Sequence, residues 1–238
     1  MANKKLRQVT YSLGVLALLF SLVLVRPANA ILTLQVTDGG PNNVIVTDGG
    51  AGDGAAQTGA ITYTNTFGSL IFNVESGLSK PLIGSVLAPE IHLDTIFANG
   101  APINLTIRLS DTDFSGPGIL PFIGSIGGIT STPSGTIVTL SVYRDLANAL
   151  FGTGIGNLIC TTGPLTGSFS FGSTCGSNVS VDDAYSVTIE ATIQQLSAGT
   201  MSFNAIVKDV PEASAMFLLG TGLIGFAGWA RMKSNEEN

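Results

Sequence analysis

The chain has 238 residues, of which 11% are charged, a formal net charge of −6 and a single histidine. The acidic balance excludes nucleic acid and anionic lipid as expected partners, because both need a basic patch. One His and two Cys also leave too few soft ligands for a zinc site.

The first predicted element is a leader over residues 1–30. Lys4, Lys5 and Arg7 form a basic head, and residues 13–25 are an apolar run broken by Gly14 and Ser21. Ala28 and Ala30 then flank Asn29 as small residues. The apolar run is about 13 residues, short of the roughly 20 that a spanning helix needs. This is the pattern of a secretory signal peptide cut by signal peptidase after Ala30. The mature chain is expected to begin at Ile31.

Residues 31–209 are long enough for one domain with a real core. Ten Asp and three Glu stand there against Lys80, Arg108, Arg144 and Lys208, a net charge near −9. Ten strands are predicted, at 31–36, 44–46, 60–64, 69–74, 90–96, 103–109, 136–143, 168–171, 185–193 and 201–208. Most alternate apolar with polar residues and are separated by Gly, Asp, Asn and Pro clusters. Short strands of this kind point to an all-β domain, an antiparallel β-sandwich that is jelly-roll-like. Residues 144–151, "RDLANALF", are the one stretch expected to turn helically.

Two motifs in this domain raise the question of a metal. "VTDGG" occurs at 36–40 and 46–50 and is followed by "AGDG". Asp38, Asp48 and Asp53 could gather oxygens around calcium, a hard cation that prefers carboxylates and carbonyls. The same Asp-Gly pairs also suit tight turns that need positive φ. "SDTD", at 110–113, carries the same ambiguity for Asp111 and Asp113, which follow a predicted strand end. No other cofactor is expected.

Cys160 and Cys175 are the only cysteines. An exported chain meets an oxidising compartment, and the segment between them is rich in Gly and Thr, so a disulfide is expected. Support for catalysis is thin. His92 lies in a predicted strand, and no G-x-S-x-G elbow is present for a Ser-His-Asp triad. A pair of carboxylates could still serve glycoside hydrolysis, but their separation is not a property of sequence.

The last predicted element is an apolar segment, residues 213–230, with no ionisable side chain. As a helix it would run about 27 Å, close to a hydrocarbon core of about 30 Å. Trp229 stands at its end, followed by Arg231 and Lys233, a basic flank of the kind retained on the cytoplasmic side. A single C-terminal transmembrane helix is therefore expected after the sandwich. "GTGLIG", residues 220–225, fits G-x-G-x-x-G but lacks the βαβ context of a dinucleotide site.

Pro211 and Glu212, followed by Ala213, a Gly-rich apolar helix and a basic step, resemble the PEP-CTERM sorting signal of exported proteins in Gram-negative and related bacteria. Ala213 stands where that signal usually has a second proline. The resemblance implies that 210–238 is a sorting region and that exosortase, a membrane protease-transpeptidase, cuts near Pro211. It also implies an inner-membrane precursor, then an envelope, surface or matrix location linked to extracellular polysaccharide. The expected role is non-enzymatic, structural or adhesive. The alternative is a carbohydrate-binding module, for which the domain offers few aromatics: no Trp, and Tyr63, Tyr143 and Tyr185 as its tyrosines. A glycosidase ranks third.

Overall fold

A computed structural model describes residues 31–67, 70–99, 102–115, 121–131, 135–175 and 183–210. The leader with Ala28 and Ala30, the motif Pro211, Glu212 and Ala213, the apolar segment 213–230 and the flank Arg231 and Lys233 lie outside these residues. Among the described residues, no helix is long and apolar enough to cross a membrane.

The described chain is all-β, in two antiparallel sheets of six strands each. The first contains β1 (Thr33–Thr37), β2 (Asn43–Thr47), β6 (Ile103–Phe114), β8 (Thr136–Asp145), β9 (Leu158–Thr161) and β11 (Tyr185–Gln195), in the order β2-β1-β6-β11-β8-β9. The second contains β3 (Ala60–Phe67), β4 (Leu70–Leu78), β5 (Glu90–Asn99), β7 (Phe122–Thr130), β10 (Phe169–Cys175) and β12 (Gly199–Asp209), in the order β10-β7-β12-β5-β4-β3.

Alternation along each strand creates the core. Leu105, Ile107 and Leu109 of β6 are buried with Val187, Ile189 and Ala191 of β11 and Val138, Leu140 and Val142 of β8. From the second sheet come Phe72 and Val74 of β4, Ile91 and Leu93 of β5, and Phe203, Ala205 and Val207 of β12, in one continuous cluster with the first set. Each fully buried aliphatic or aromatic side chain contributes about 1.5–3 kcal/mol by leaving water.

The connectivity is nested. β8 pairs with β9, β7 with β10, β6 with β11 and β5 with β12, and successive pairs alternate between the two sheets. The last eight strands thus behave as one long folded hairpin wrapped into two layers. The hairpin β1–β2 extends the first sheet beside β6, and β3–β4 extends the second beside β5.

Two strands escape a reading by propensity. β7, "FIGSIGGIT", carries three glycines that look like turn residues, yet close neighbours crowd two of them, Gly124 and Gly128. A Cβ on Gly128 would lie 2.5 Å from the Ser202 carbonyl oxygen and 2.7 Å from Phe169 Cζ. Gly128→Ala is therefore expected to cost about 1–3 kcal/mol through overpacking, because the closest atom is backbone. Equilibrium denaturation checks this; a loss under about 0.5 kcal/mol would mean that β7 and β12 are not this closely packed. β9 is only four residues long and follows the 3-10 turn Ile155–Asn157.

The expected helical turn at 144–151 is not formed. Arg144 and Asp145 finish β8, and the Asp145 carboxylate accepts the Ala147 N–H at 2.9 Å. Positive φ at Asn148 (55°) and Phe151 (57°) then turns the chain in a sense that a right-handed helix cannot use.

Candidate functional site

Among the described residues, the outer face of the first sheet carries an organised row of polar side chains. With Leu105, Ile107 and Leu109 inward, β6 must present Asn104, Thr106 and Arg108 outward, and the same alternation presents Thr192 and Glu190 on β11. Register then aligns four threonines across four adjacent strands: Thr37, Thr106, Thr192 and Thr139. Adjacent strands lie about 4.8 Å apart, so these side chains form a ladder across the sheet. A groove of ≈ 380 Å³ lies over three of them, Thr106, Thr139 and Thr192, between the Asp38–Gly39 turn and the side chains of Asn104, Ile137 and Gln194.

One step along the strands, a hydrogen-bonded row crosses the same four strands. Arg108 Nε donates to Glu190 Oε2 (2.6 Å) and Arg108 Nη1 to Gln35 Oε1 (2.9 Å). Tyr143 donates its hydroxyl to Glu190 Oε1 at 3.0 Å. Burial, and then the Glu190 carboxylate beside it, holds the Tyr143 phenol above its ordinary value, so it stays a donor. Beyond this row the face is closed. Ser110, Thr188 and Ser186 are buried under residues 146–154, where Ser186 donates to the Ala149 carbonyl (2.6 Å) and the Phe151 N–H reaches Ser110 Oγ (3.2 Å).

The three aspartates proposed for calcium are used as turn acceptors. Asp38 accepts Asn42 Nδ2 (2.6 Å) and the Gly40 N–H (2.8 Å), and these two bonds hold its carboxyl below the usual range. Asp48 accepts the Gly59 N–H at 2.7 Å. Asp53 takes three N–H groups, from Gly49 (2.8 Å), Ala55 (2.9 Å) and Thr62 (3.1 Å). Among the described residues, no three His, Cys, Asp or Glu side chains gather in a way that could hold a metal ion, so Asp38, Asp48 and Asp53 are not brought together. Asp53→Ala is expected to cost about 1–3 kcal/mol by orphaning those donors, while millimolar calcium leaves the wild-type melting temperature unchanged. A calcium-dependent rise would restore a metal site.

Asp111 is not in a loop. β6 continues through it, and its side chain is fully buried against Lys80, which is 2% exposed. Lys80 Nζ lies 2.8 Å from Asp111 Oδ2, donates to the Thr112 carbonyl and sits 3.7 Å above the Phe114 ring centroid. Ser79 Oγ donates to the same Oδ2 at 2.6 Å, and the Thr112 N–H to Oδ1 at 2.8 Å. Burial lowers the Lys80 ammonium from its ordinary value, against the opposing pull of Asp111. The pair leaves no local signal in the sequence, because its partners are 31 residues apart.

Cys160 and Cys175 form a disulfide that joins β9, at the edge of one sheet, to β10, at the edge of the other. Gly124 of β7 lies against it: a Cβ there would be 3.1 Å from Cys175 Sγ. His92, half-buried on β5, pairs with Glu90 Oε1 at 3.0 Å. The groove brings one carboxylate, Asp38, among its lining residues.

Residues 209–231 match the family model described as the PEP-CTERM protein-sorting motif. No curated protein matches the chain. Among solved structures, the enzymatically active domain of Bacteriophage CBA120 tailspike protein 4 aligns at 12% identity over 78% of this chain and 20% of its own, with a TM-score of 0.30. The mannan-recognising carbohydrate-binding module TmCBM27 aligns at 7% identity over 63% of this chain and 88% of its own, with a TM-score of 0.29. Xylanase10C from Cellvibrio japonicus aligns at 10% identity over 78% of this chain and 28% of its own, also at 0.29. This chain thus spans about a fifth of the tailspike domain. Similarity at this level carries no argument about activity.

Proposed function

We infer that this chain, which carries the PEP-CTERM protein-sorting motif, is an exported envelope protein whose sandwich acts as a non-catalytic structural or adhesive module in the cell surface or matrix. The nested strand pairing reads as a jelly roll extended by two N-terminal hairpins. The topology of export follows from the ends. The leader is removed after Ala30, the apolar segment 213–230 holds the precursor in the inner membrane, and Arg231 and Lys233 keep the C-terminus inside.

The junction supports this reading. β12 runs to Asp209, whose N–H donates to the Pro89 carbonyl (3.0 Å), and the Val210 N–H donates to the Pro121 carbonyl (2.9 Å). The sandwich therefore stays hydrogen-bonded up to the residue before Pro211. Proline at 211 keeps Val210 out of helical geometry, so strand and apolar segment cannot merge into one helix. The motif then lies between a folded domain and the membrane, where exosortase can reach it.

The threonine-lined groove favours a second reading, binding of a neutral, hydroxyl-rich polysaccharide. Hydroxyls and the amides of Asn104 and Gln194 both donate and accept, which suits sugar hydroxyls. The groove residues are aliphatic or polar, so recognition rests on hydrogen bonds rather than ring stacking. The test is affinity electrophoresis of the exported protein in gels containing polysaccharide from the native host. Retardation is expected, weakened roughly tenfold or more when Thr106, Thr139 and Thr192 are all replaced by alanine. Equal mobility with and without polysaccharide would remove this reading and leave the structural one.

A further inference from the structure

We propose that Lys80 and Asp111 are a covalent modification site, where the two side chains condense to an internal amide that clasps the two sheets together. Lys80 follows β4 of the second sheet and Asp111 lies in β6 of the first. Nucleophile and carboxyl are held in contact at 2.8 Å, with 2% and 0% exposure. Fixed proximity of this kind replaces a bimolecular encounter and raises effective concentration by orders of magnitude. Bulk water, which would dilute the reactants and reverse the step, is excluded from the site.

The chemistry balances without a co-reactant. The Lys80 ammonium passes one proton to Asp111 Oδ2, giving a neutral amine and a neutral acid. Burial favours this uncharged form of the lysine. The Nζ lone pair then adds to Cγ, and the electron pair of the carbonyl moves onto Oδ1. That oxygen already faces the Thr112 N–H at 2.8 Å, a donor placed for the developing charge. A second proton passes from Nζ to Oδ2, the pair on Oδ1 returns to re-form the carbonyl as the Cγ–Oδ2 bond breaks, and Oδ2 leaves as water from its contact with Ser79 Oγ. One ammonium and one carboxylate become one amide and one water, with no change in net charge or oxidation state.

The surroundings also fit the product. The remaining amide N–H retains the Thr112 carbonyl as acceptor, and the new carbonyl oxygen retains the Thr112 N–H. A buried amide therefore finds both hydrogen bonds already in place, which is the condition for burying it without penalty. The Phe114 ring, 3.7 Å from Nζ, and Tyr185, 6.1 Å from Phe114 between centroids, complete an apolar wall.

Sequence makes the test direct. Arg108 is the one tryptic site between the partners, because the Lys80–Pro81 bond resists trypsin. The protein is taken from the envelope of its native host, reduced, alkylated, denatured and digested. The expected species joins the peptide that ends at Arg108 to peptide 109–144, one water lighter than their sum, with fragment ions placing the link at Lys80 and Asp111. The Cys160–Cys175 bond lies in a third peptide and does not interfere. Asp111→Ala should release the two peptides. Recovery of the wild-type peptides separately and at full mass would overturn the proposal, as would a joined species that persists in Asp111→Ala.

Discussion

Asp111→Ala is expected to lower stability by about 3–5 kcal/mol. The reason is asymmetry. The change removes the charged acceptor shared by Lys80 and Ser79 and leaves the amine, 2% exposed beneath the Phe114 ring, with the neutral Thr112 carbonyl as an acceptor. An uncompensated charge in such a place costs far more than an intact pair contributes. Lys80→Met should be milder, because the thioether chain fills the volume and Asp111 keeps the Ser79 and Thr112 donors. Urea unfolding of both variants measures the difference. If Asp111→Ala loses less than about 1 kcal/mol, water reaches the pair and the site is not the closed cluster described above.

The second large effect belongs to the disulfide. Replacing Cys160 and Cys175 together by serine is expected to cost about 3 kcal/mol, the loop-closure value for a separation of 15 residues. The bond matters more than that figure suggests for the edges it joins. β9 is four residues long and exposes Leu158, and β10 pairs on one side only, with β7. Without the bond, both edge strands should exchange amide hydrogens faster than β11 or β12, which lie inside their sheets. Hydrogen exchange on the serine variant checks this; uniform protection across edge and centre would contradict it.

What was legible in the sequence follows from where each signal originates. Alternation in "INLTIRL" and "YSVTIEATI" reports a local fact, one wet face and one dry face, so β6 and β11 could be read directly. β7 could not, because its glycines answer to Phe169, Ser202 and Cys175, which lie on other strands. Asp111 looks like a loop residue in the sequence for a related reason. The polar run "SDTD" looks wet, but at that end of β6 the chain after β4 folds over the strand and supplies Lys80. The threonine ladder was likewise hidden: Thr37, Thr106, Thr139 and Thr192 are ordinary strand residues until register aligns them. The turn aspartates show the converse. Asp-Gly chemistry was visible locally, and local N–H donors account for most of the hydrogen bonds of Asp38 and Asp53.

The disulfide was legible through compartment rather than geometry. Residues 1–30 read as an export leader, and that reading implies an oxidising environment for two cysteines that have no Cys-x-x-Cys or neighbouring His to hold a metal with them. The sorting motif was legible for the opposite reason to the fold, since it is read as a linear string by another protein and needs no tertiary contact. Residues 209–231 carry that string, and the last strand ends where it begins.

On the function proposed above, this tail delivers the sandwich to the envelope and is then removed. The most direct measurement is the intact mass of the protein recovered from the envelope and matrix of the native host, beside the same fractions from a host lacking exosortase. In the wild type, the expected mass corresponds to a chain that begins at Ile31 and ends near Val210 to Ala213. In the host lacking exosortase, the chain should keep Trp229, Arg231 and Lys233 and remain with the inner membrane. Wild-type surface protein that retains the full C-terminus would contradict the claim and make residues 213–230 a permanent anchor.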